Sequence, residues 1–326
     1  MASDLPPDLK GALDRLSQGL SRNDLAARAA GISANYRSGG SSTIIRNSDD
    51  ALAYAMARMP ATYAAISACL DAIGETCPDF TPKTLLDVGA GPGTATWAAT
   101  DACPSLNDFS LLDANSALRT LALALAQDSP RLAALRYEAG DARKALAGAT
   151  DADLVIASYV IGELRDGERS GFADALWAKT RDTLLVVEPG TPAGYARIID
   201  LRTRLIGHGA HVIAPCPHDL ACPLSPPDWC HFTQRLARSR DHKQVKGVEA
   251  PFEDEKFSYV ALVRTPQQHR PAARVLAHPA VTKVEVTAKL CLADGHAAVR
   301  KIPRRDKAAS ALAKRWRWGD AVPVEP

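Results

Sequence analysis

The sequence predicts an α/β fold with a mostly parallel sheet covered on both faces by helices. Three observations carry this. Short apolar runs alternate with helical stretches from Thr84 onward. A glycine-rich turn, Gly89-Ala90-Gly91-Pro92-Gly93, directly follows the first run. Acids stand at the ends of the next two runs, at Asp113 and Asp141.

Residues 1–80 read as a helical region. Ser48-Asp49-Asp50 is the expected N-cap region of ALAYAMARM (51–59), and a second helix, TYAAISACLDAI, is expected after Pro60. Gly39-Gly40-Ser41-Ser42 is a flexible break between helical stretches. The strand candidates follow: LLDVG (85–89), FSLLDA (109–114), LRYEAGD (135–141), DLVIASYV (153–160), TLLVVEP (183–189) and, later, FSYVALV (257–263). Their spacing is that of a doubly covered parallel sheet. Between about 206 and 250 the chain is dense in Pro, Cys and His, which reads as an ordered insertion in a core spanning 81–268. A basic extension, 269–326, completes the chain.

Composition bounds the function. The 326 residues are 46% hydrophobic and 23% charged, so a sizeable core can be buried. No run of 18 apolar residues exists, which excludes a transmembrane helix and argues against a membrane partner. MASDLPPDLKGALDRL reads as neither a secretory signal nor a transit peptide, so a cytoplasmic, reducing compartment is expected. Seven cysteines in such a compartment read as metal or redox sites before disulfides.

The glycine turn has the spacing GxGxG, with Thr94 where a dinucleotide fingerprint places glycine, which argues against NAD. Glycines there let the backbone turn sharply and approach a ligand. Asp87 lies in the first strand. Asp113, ending the second, can accept hydrogen bonds from ribose hydroxyls, and Asp141, ending the third, can reach an adenine amino group. A bland alternative is a turn that only packs a helix on a sheet. The set resembles class I S-adenosylmethionine-dependent methyltransferases over about 84–265. That resemblance implies a Rossmann-like, mostly parallel seven-stranded sheet, with Asp87, Gly89, Gly91, Gly93, Asp113, Asp141 and Ser158 at the cofactor. Ser158-Tyr159 stands where amino-methylating enzymes often carry Asn/Asp-Pro-Pro-aromatic, so adenine or glutamine N-methylation is not expected. Glu163 reads equally as a helix cap or a catalytic group, and Glu188-Pro189-Gly190-Thr191-Pro192 as turn chemistry.

Cys216, Cys222 and Cys230 fall within fifteen residues, with Cys291 in the basic extension. Four thiolates suit zinc or an iron–sulfur cluster, and the wide C-x5-C and C-x7-C gaps fit a bulkier cluster. Buried structural thiols are the alternative, and Cys69 is expected in the core. His218 and His231 neighbour the cysteines and are candidate ligands or surrounding groups.

LLDVGAGPGTATWA, SYVIGELRD, VVEPGTPAGYARIIDLR, PCPHDLACPLSPPDWCHFTQR and RWRWGD together resemble the methyltransferase-like family associated with the small ribosomal subunit. The resemblance spans nearly the whole chain. It implies a 4Fe–4S cluster on Cys216, Cys222, Cys230 and Cys291, and small ribosomal subunit and rRNA as partners. Mitochondrial members act in subunit assembly and translation; the start of this chain suggests a bacterial, cytoplasmic homologue. The implied function is rRNA methylation, subunit assembly, or both. The alternatives are an inactive assembly factor using the fold as a binding module, and a zinc-bound methyltransferase of another substrate.

The net charge of +2 conceals an asymmetry. Residues 270–318 hold twelve Lys/Arg and three Asp/Glu, a net of +9, leaving 27 basic and 34 acidic residues elsewhere, a net of −7. VTKVEVTAKLCLADG and HAAVRKIPRRD read as a hairpin, and AASALAKRWRWGD as a basic helix. Arg304, Arg305, Lys307, Lys314, Arg315 and Arg317 can neutralise phosphates, with Trp316 and Trp318 as candidate base-stacking groups. The bland reading is a solvated charged face with the indoles packed on the core.

Overall fold

The computed structural model describes residues 4–267 and 270–324. The expected boundary between core and extension, at 268/269, lies outside them, as do the first three residues of the segment read for targeting.

The N-terminal region is helical: α1 (Pro7–Ser17), α2 (Arg22–Arg37) and α3 (Ser48–Thr76), with a 3-10 turn at Ser42–Ile44 after the glycine pair. The α3 N-cap is Asn47, one residue before the expected region; its side chain accepts the Asp50 N–H at 2.9 Å. Asp49 and Asp50 then meet the positive end of the helix. The expected break at Pro60 does not occur, and α3 runs unbroken for 29 residues. Proline removes one backbone donor. Here the buried Ala61, Tyr63, Ala64 and Ile66 beyond it hold the helix on the sheet, and packing outweighs that loss.

The chain then alternates through β1 (Thr84–Val88), α4 (Thr94–Ala102), β2 (Asp108–Asp113), α5 (Ser116–Ala126), β3 (Arg136–Ala139), α6 (Ala142–Gly148), β4 (Ala152–Ser158), α7 (Asp166–Lys179), β5 (Thr180–Pro189) and α8 (Pro192–Gly207). β6 (His211–Ala214), β7 (Phe232–Ala237), α9 (Arg240–Lys246) and β8 (Phe252–Val263) follow. The sheet order is β3-β2-β1-β4-β5-β8-β6, parallel through β5, with β8 antiparallel between β5 and β6. This is the class I methyltransferase arrangement. The twelve-residue β8 reaches past the sheet and also pairs with β7, so the sheet has eight strands where seven were expected. The Pro/Cys/His-rich segment is therefore not wholly inserted: its HVIA supplies the sheet's edge strand.

Alternation along the strands builds two cores. Leu85, Leu111, Ile156, Leu185 and Ala261 face Ile66 of α3, Trp97 of α4 and Leu125 of α5. Leu86, Leu112, Val155, Leu184 and Val260 face Phe172 and Leu176 of α7 and Leu205 of α8. The helical region thus forms part of one covering layer, with α3 packed on β6, β7 and β8.

A second sheet lies in the basic extension: β9 (Ala273–Val275), β10 (Ala280–Val281), β11 (Glu285–Leu292), β12 (Ala297–Pro303) and, after α10 (Lys307–Ala313), β13 (Ala321–Val322). β11 and β12 form the expected hairpin, turned at Gly295 with φ +85°. The basic helix is shorter than expected and ends before both tryptophans.

Candidate cofactor cleft and metal centre

Gly89, Gly91 and Gly93 have φ of +72°, +53° and +80°, the left-handed region that favours glycine. A Cβ on Gly89 would also lie 2.5 Å from Val160 Cγ2. Gly93 is the N-cap of α4. The turn opens onto a cleft of about 430 Å3 at the C-terminal ends of the parallel strands.

Gly89, Gly91, Asp113, Asp141 and Ser158 all line this cleft. Asp113 accepts the Gly91 N–H on Oδ2 at 2.9 Å and the Asn115 N–H on Oδ1 at 2.7 Å. Burial pushes its carboxyl up while these donors pull it down. Asp87 and Gly93 lie beneath the turn, away from the cleft. Asp87 is fully buried, and its Oδ2 accepts the Thr96 N–H at 3.1 Å and the Thr96 hydroxyl at 2.8 Å. Burial raises its carboxyl to about 7. Its role is to fix α4 against β1.

The N-terminal region contributes cleft residues that the local motifs did not indicate: Tyr36, Ser42, Tyr54 and Arg58. Glu163 is the clasp. It accepts the Tyr36 hydroxyl at 3.2 Å, the Ser42 N–H at 3.3 Å and the Ser42 hydroxyl at 3.2 Å. Asn115 continues the closure by donating to the Ser42 and Ile45 carbonyls at 2.9 and 3.0 Å. On the cleft floor Tyr159 has φ +57°, the one non-glycine positive φ among the described residues. Its hydroxyl donates to Glu255 Oε1 at 3.2 Å, and Arg58 donates to the same oxygen at 3.1 Å. Glu188 is more than a turn residue: 1% exposed, it pairs with Arg197 at 2.7 Å and accepts the Ile161 N–H at 3.0 Å. It thereby fixes the loop after β4.

The second candidate site joins the two sheets. Cys216, Cys222, Cys230 and Cys291 are all free thiols, and Cys230 lies in the field of the other three. Burial pushes up the Cys216, Cys230 and Cys291 thiols, the last to about 12, and neighbouring thiols add to it. The Tyr195 hydroxyl donates to Cys222 Sγ at 3.2 Å. His218 Nε2 lies 3.4 Å from Cys291 Sγ. His231 instead stacks on Trp229 and meets Trp318 edge-on. No three His, Cys, Asp or Glu side chains among the described residues surround one point closely enough to hold a single ion. Cys69 is fully buried in α3, as expected.

A family model described as mitochondrial small ribosomal subunit Rsm22 matches residues 48–323. The chain belongs to this family. The ribosome assembly protein METTL17, mitochondrial, from Homo sapiens is 29% identical over 84% of the chain and 62% of its own length. The Rsm22-cox11 tandem protein 2, mitochondrial, from Schizosaccharomyces pombe is 24% identical over 84% of the chain and 43% of its length. The chain therefore spans about half the length of these curated Rsm22-family relatives. A solved magnesium protoporphyrin IX methyltransferase from Synechocystis is 14% identical with a TM-score of 0.41, covering 80% of this chain and 98% of its own.

These Rsm22-family relatives correct one expectation. The family description and the matched relatives are mitochondrial, which overturns the reading of a cytoplasmic protein. No helix among the described residues is long and apolar enough to cross a membrane.

In this Rsm22-family chain the basic extension presents a charged face. Arg300, Arg304, Arg305, Lys307, Lys314, Arg315 and Arg317 are all exposed, and none forms an ion pair with another described residue. The tryptophans do not join that face. Trp316 packs on the small core of Ala273, Val275, Ala288 and Leu290. Trp318 packs on the main core and against His231 and His278. Both indoles are held by packing and stay partly exposed.

Proposed function

We propose that this chain binds S-adenosylmethionine in the glycine-lined cleft, carries a 4Fe–4S cluster on its four clustered cysteines, and acts at the small ribosomal subunit through its rRNA. The observation that carries the reading is the union of two left-handed glycines, Gly89 and Gly91, with Asp113 and Asp141 around one cleft. Its volume is of the size that small-ligand sites need.

The donor set fits the cofactor. Asp113 would accept from ribose hydroxyls, because each oxygen keeps a lone pair beyond its backbone donor. Asp141 would meet the adenine amino group. The glycine turn admits close backbone approach, and Glu163 holds the Tyr36–Ser42 segment at the cleft. When bound, S-adenosylmethionine supplies an electrophilic methyl group for in-line transfer. The protein's share of such chemistry is positioning.

The donor set at the cysteines also fits a cluster. Four free thiols, three from the core and one from the second sheet, are a donor set of the kind that soft iron centres take. A cluster held there would cross-link the methyltransferase-like core, which carries Cys216, Cys222 and Cys230, to the second sheet, which carries Cys291. The exposed cations on that second sheet would contact rRNA phosphates.

A second reading, a binding module for subunit assembly without methyl transfer, is favoured by one observation. Tyr159, at the place of a catalytic motif, spends its hydroxyl on Glu255 on the cleft floor. Titration calorimetry with S-adenosylmethionine separates them: one-to-one binding is expected, and no heat at millimolar cofactor overturns the first reading and leaves the second. Anaerobic purification tests the cluster: a brown protein with iron and sulfide is expected, and a colourless one with stoichiometric zinc overturns it.

A further inference from the structure

The two largest side chains that are fully buried are both arginines, Arg202 at 2% exposure and Arg274 at 1%. Arginine stays charged in proteins, so each brings a full positive charge into the interior. Even partly buried arginines here have acidic partners: Arg197 has Glu188, Arg58 has Glu255 and Arg238 has Glu253. Arg202 and Arg274 have none among the described residues. Arg202 donates to the His218 and Leu220 carbonyls at 2.9 and 2.8 Å, and its Nε is buried without a partner. Arg274 donates to the Pro215 and Gly319 carbonyls, each at 2.8 Å, and its Nη2 is likewise unpartnered. The exposed Glu75 feels Arg274 but forms no ion pair with it. Carbonyl dipoles do not neutralise a buried charge, and an uncompensated one is strongly destabilising.

Both guanidiniums are tied to the cysteine segment by geometry. Arg202 grips the His218 and Leu220 carbonyls between Cys216 and Cys222, while Arg274 grips the Pro215 carbonyl before Cys216 and stands opposite Cys291 in the β9–β11 ladder. They come from different parts of the fold: Arg202 from α8 of the core, Arg274 from β9 of the second sheet. Each also staples a ligand loop by its backbone, Arg202 at 218 and 220, Arg274 at 215. Four thiolates on an oxidised 4Fe–4S core, or on one zinc dication, leave two negative charges in excess. Two arginines carry two positive ones.

We propose that Arg202 and Arg274 are the dedicated counter-ions of a doubly negative metal–thiolate centre, one supplied by each sheet. The inference rests on the four-cysteine reading above and goes beyond it. The centre and the two arginines form one neutral unit at the junction. Emptying it leaves two like charges buried together, one on each side of the junction, so loss of metal weakens docking of the second sheet by repulsion as well as by the missing cross-link. Both arginines are positioning residues, acting on the centre and not on any substrate.

The test uses the full chain and three variants, Arg202→Met, Arg274→Met and the charge-keeping Arg202→Lys. Thermal midpoints are read anaerobically after reconstitution with ferrous iron and sulfide, and again after stripping with a chelator. Each methionine variant should melt lower than wild type when loaded, and at or above wild type when stripped, because removing a counter-ion and removing an orphaned charge have opposite signs. Zinc affinity of the stripped chain should weaken about 10–100-fold in the methionine variants and much less in Arg202→Lys. The cluster potential should move to more negative values in Arg202→Met, since lost positive charge disfavours the added electron. Equal destabilisation in both states with unchanged zinc affinity and potential overturns the proposal, leaving the arginines as carbonyl staples. If either methionine variant fails to fold, the comparison of Arg202→Lys with wild type in zinc affinity decides: near-equal affinity supports the charge role, and a loss of 10-fold or more overturns it. A wild-type chain that takes up neither iron–sulfide nor zinc overturns the four-cysteine reading itself, before any variant is compared. Zinc uptake without a cluster overturns only the iron–sulfur assignment, and the counter-ion role is then supported by the zinc affinities.

Discussion

Gly91 donates its backbone N–H to Asp113 Oδ2 at 2.9 Å, joining the glycine turn after β1 to the carboxylate that ends β2. One strand's turn is thus pre-set by the next strand's acid. Asp113→Ala removes this tie and the acceptor for the ribose. With hydrogen bonds to a charged group worth about 1.5–3 kcal/mol each, S-adenosylmethionine affinity should fall by at least about tenfold. Titration calorimetry checks this, and wild-type affinity in the variant would remove Asp113 from the site.

Gly89→Ala meets two obstacles at once, a φ of +72° and a Cβ 2.5 Å from Val160 Cγ2. Such backbone strain costs about 1–3 kcal/mol. The variant should melt several degrees lower and bind cofactor poorly. Gly91→Ala is the control: its Cβ would meet only Leu118 Cδ1 at 3.8 Å, so its cost is conformational alone. If Gly89→Ala melts no lower than Gly91→Ala, the close approach of Val160 is not limiting.

Asp87 makes stability depend on pH. Its carboxyl is raised from 3.8 to about 7 by burial, so the folded state binds this proton more tightly than the unfolded chain does. The resulting stabilisation is full below pH 3.8 and is lost as pH rises through about 7. Asp87→Asn should flatten that part of the profile while its amide oxygen still accepts from Thr96. Urea midpoints measured from pH 4 to 8 give the answer; an unchanged slope in the variant would assign the pH dependence elsewhere.

The strands and the cleft's glycines and acids were legible because each is a local pattern: an apolar run, a turn, an acid at a strand end. What escaped the sequence depends on distant packing. Tyr36 and Ser42 reach Glu163 from more than a hundred residues away, and nothing in their own neighbourhood marks them as cleft residues. Pro60 signalled a helix end, yet tertiary burial along α3 overrode it. HVIA was hidden in a proline- and cysteine-rich stretch, and four residues are too few to show alternation. Trp316 and Trp318 looked like stacking groups beside arginines, but Trp316 packs on the second sheet's small core and Trp318 on the main core. Arg202 carried no sequence signal at all, because an arginine in an amphipathic helix reads as solvent-facing.

The exposed cations 304, 305 and 307 should contribute to RNA affinity and almost nothing to folding. The triple variant Arg304→Ala/Arg305→Ala/Lys307→Ala should melt within a few degrees of wild type, since exposed substitutions cost about 0.5 kcal/mol or less each. Its RNA affinity should fall, and the slope of log affinity against log salt should shrink by about 0.7 for each phosphate of single-stranded RNA that is no longer neutralised. Filter binding at several salt concentrations measures both. A parallel loss across all salts with no change in slope would mean that these side chains do not neutralise phosphates.

The function proposed for this Rsm22-family chain is work on small-subunit rRNA through its second sheet. Ultraviolet crosslinking in cells, with the RNA sequenced and the crosslinked peptides mapped, tests it most directly. Crosslinks to small-subunit rRNA are expected, with peptides from 300–317 enriched, and they should be lost in the triple alanine variant. Crosslinks dominated by other RNA, or confined to other faces of the protein, would contradict it.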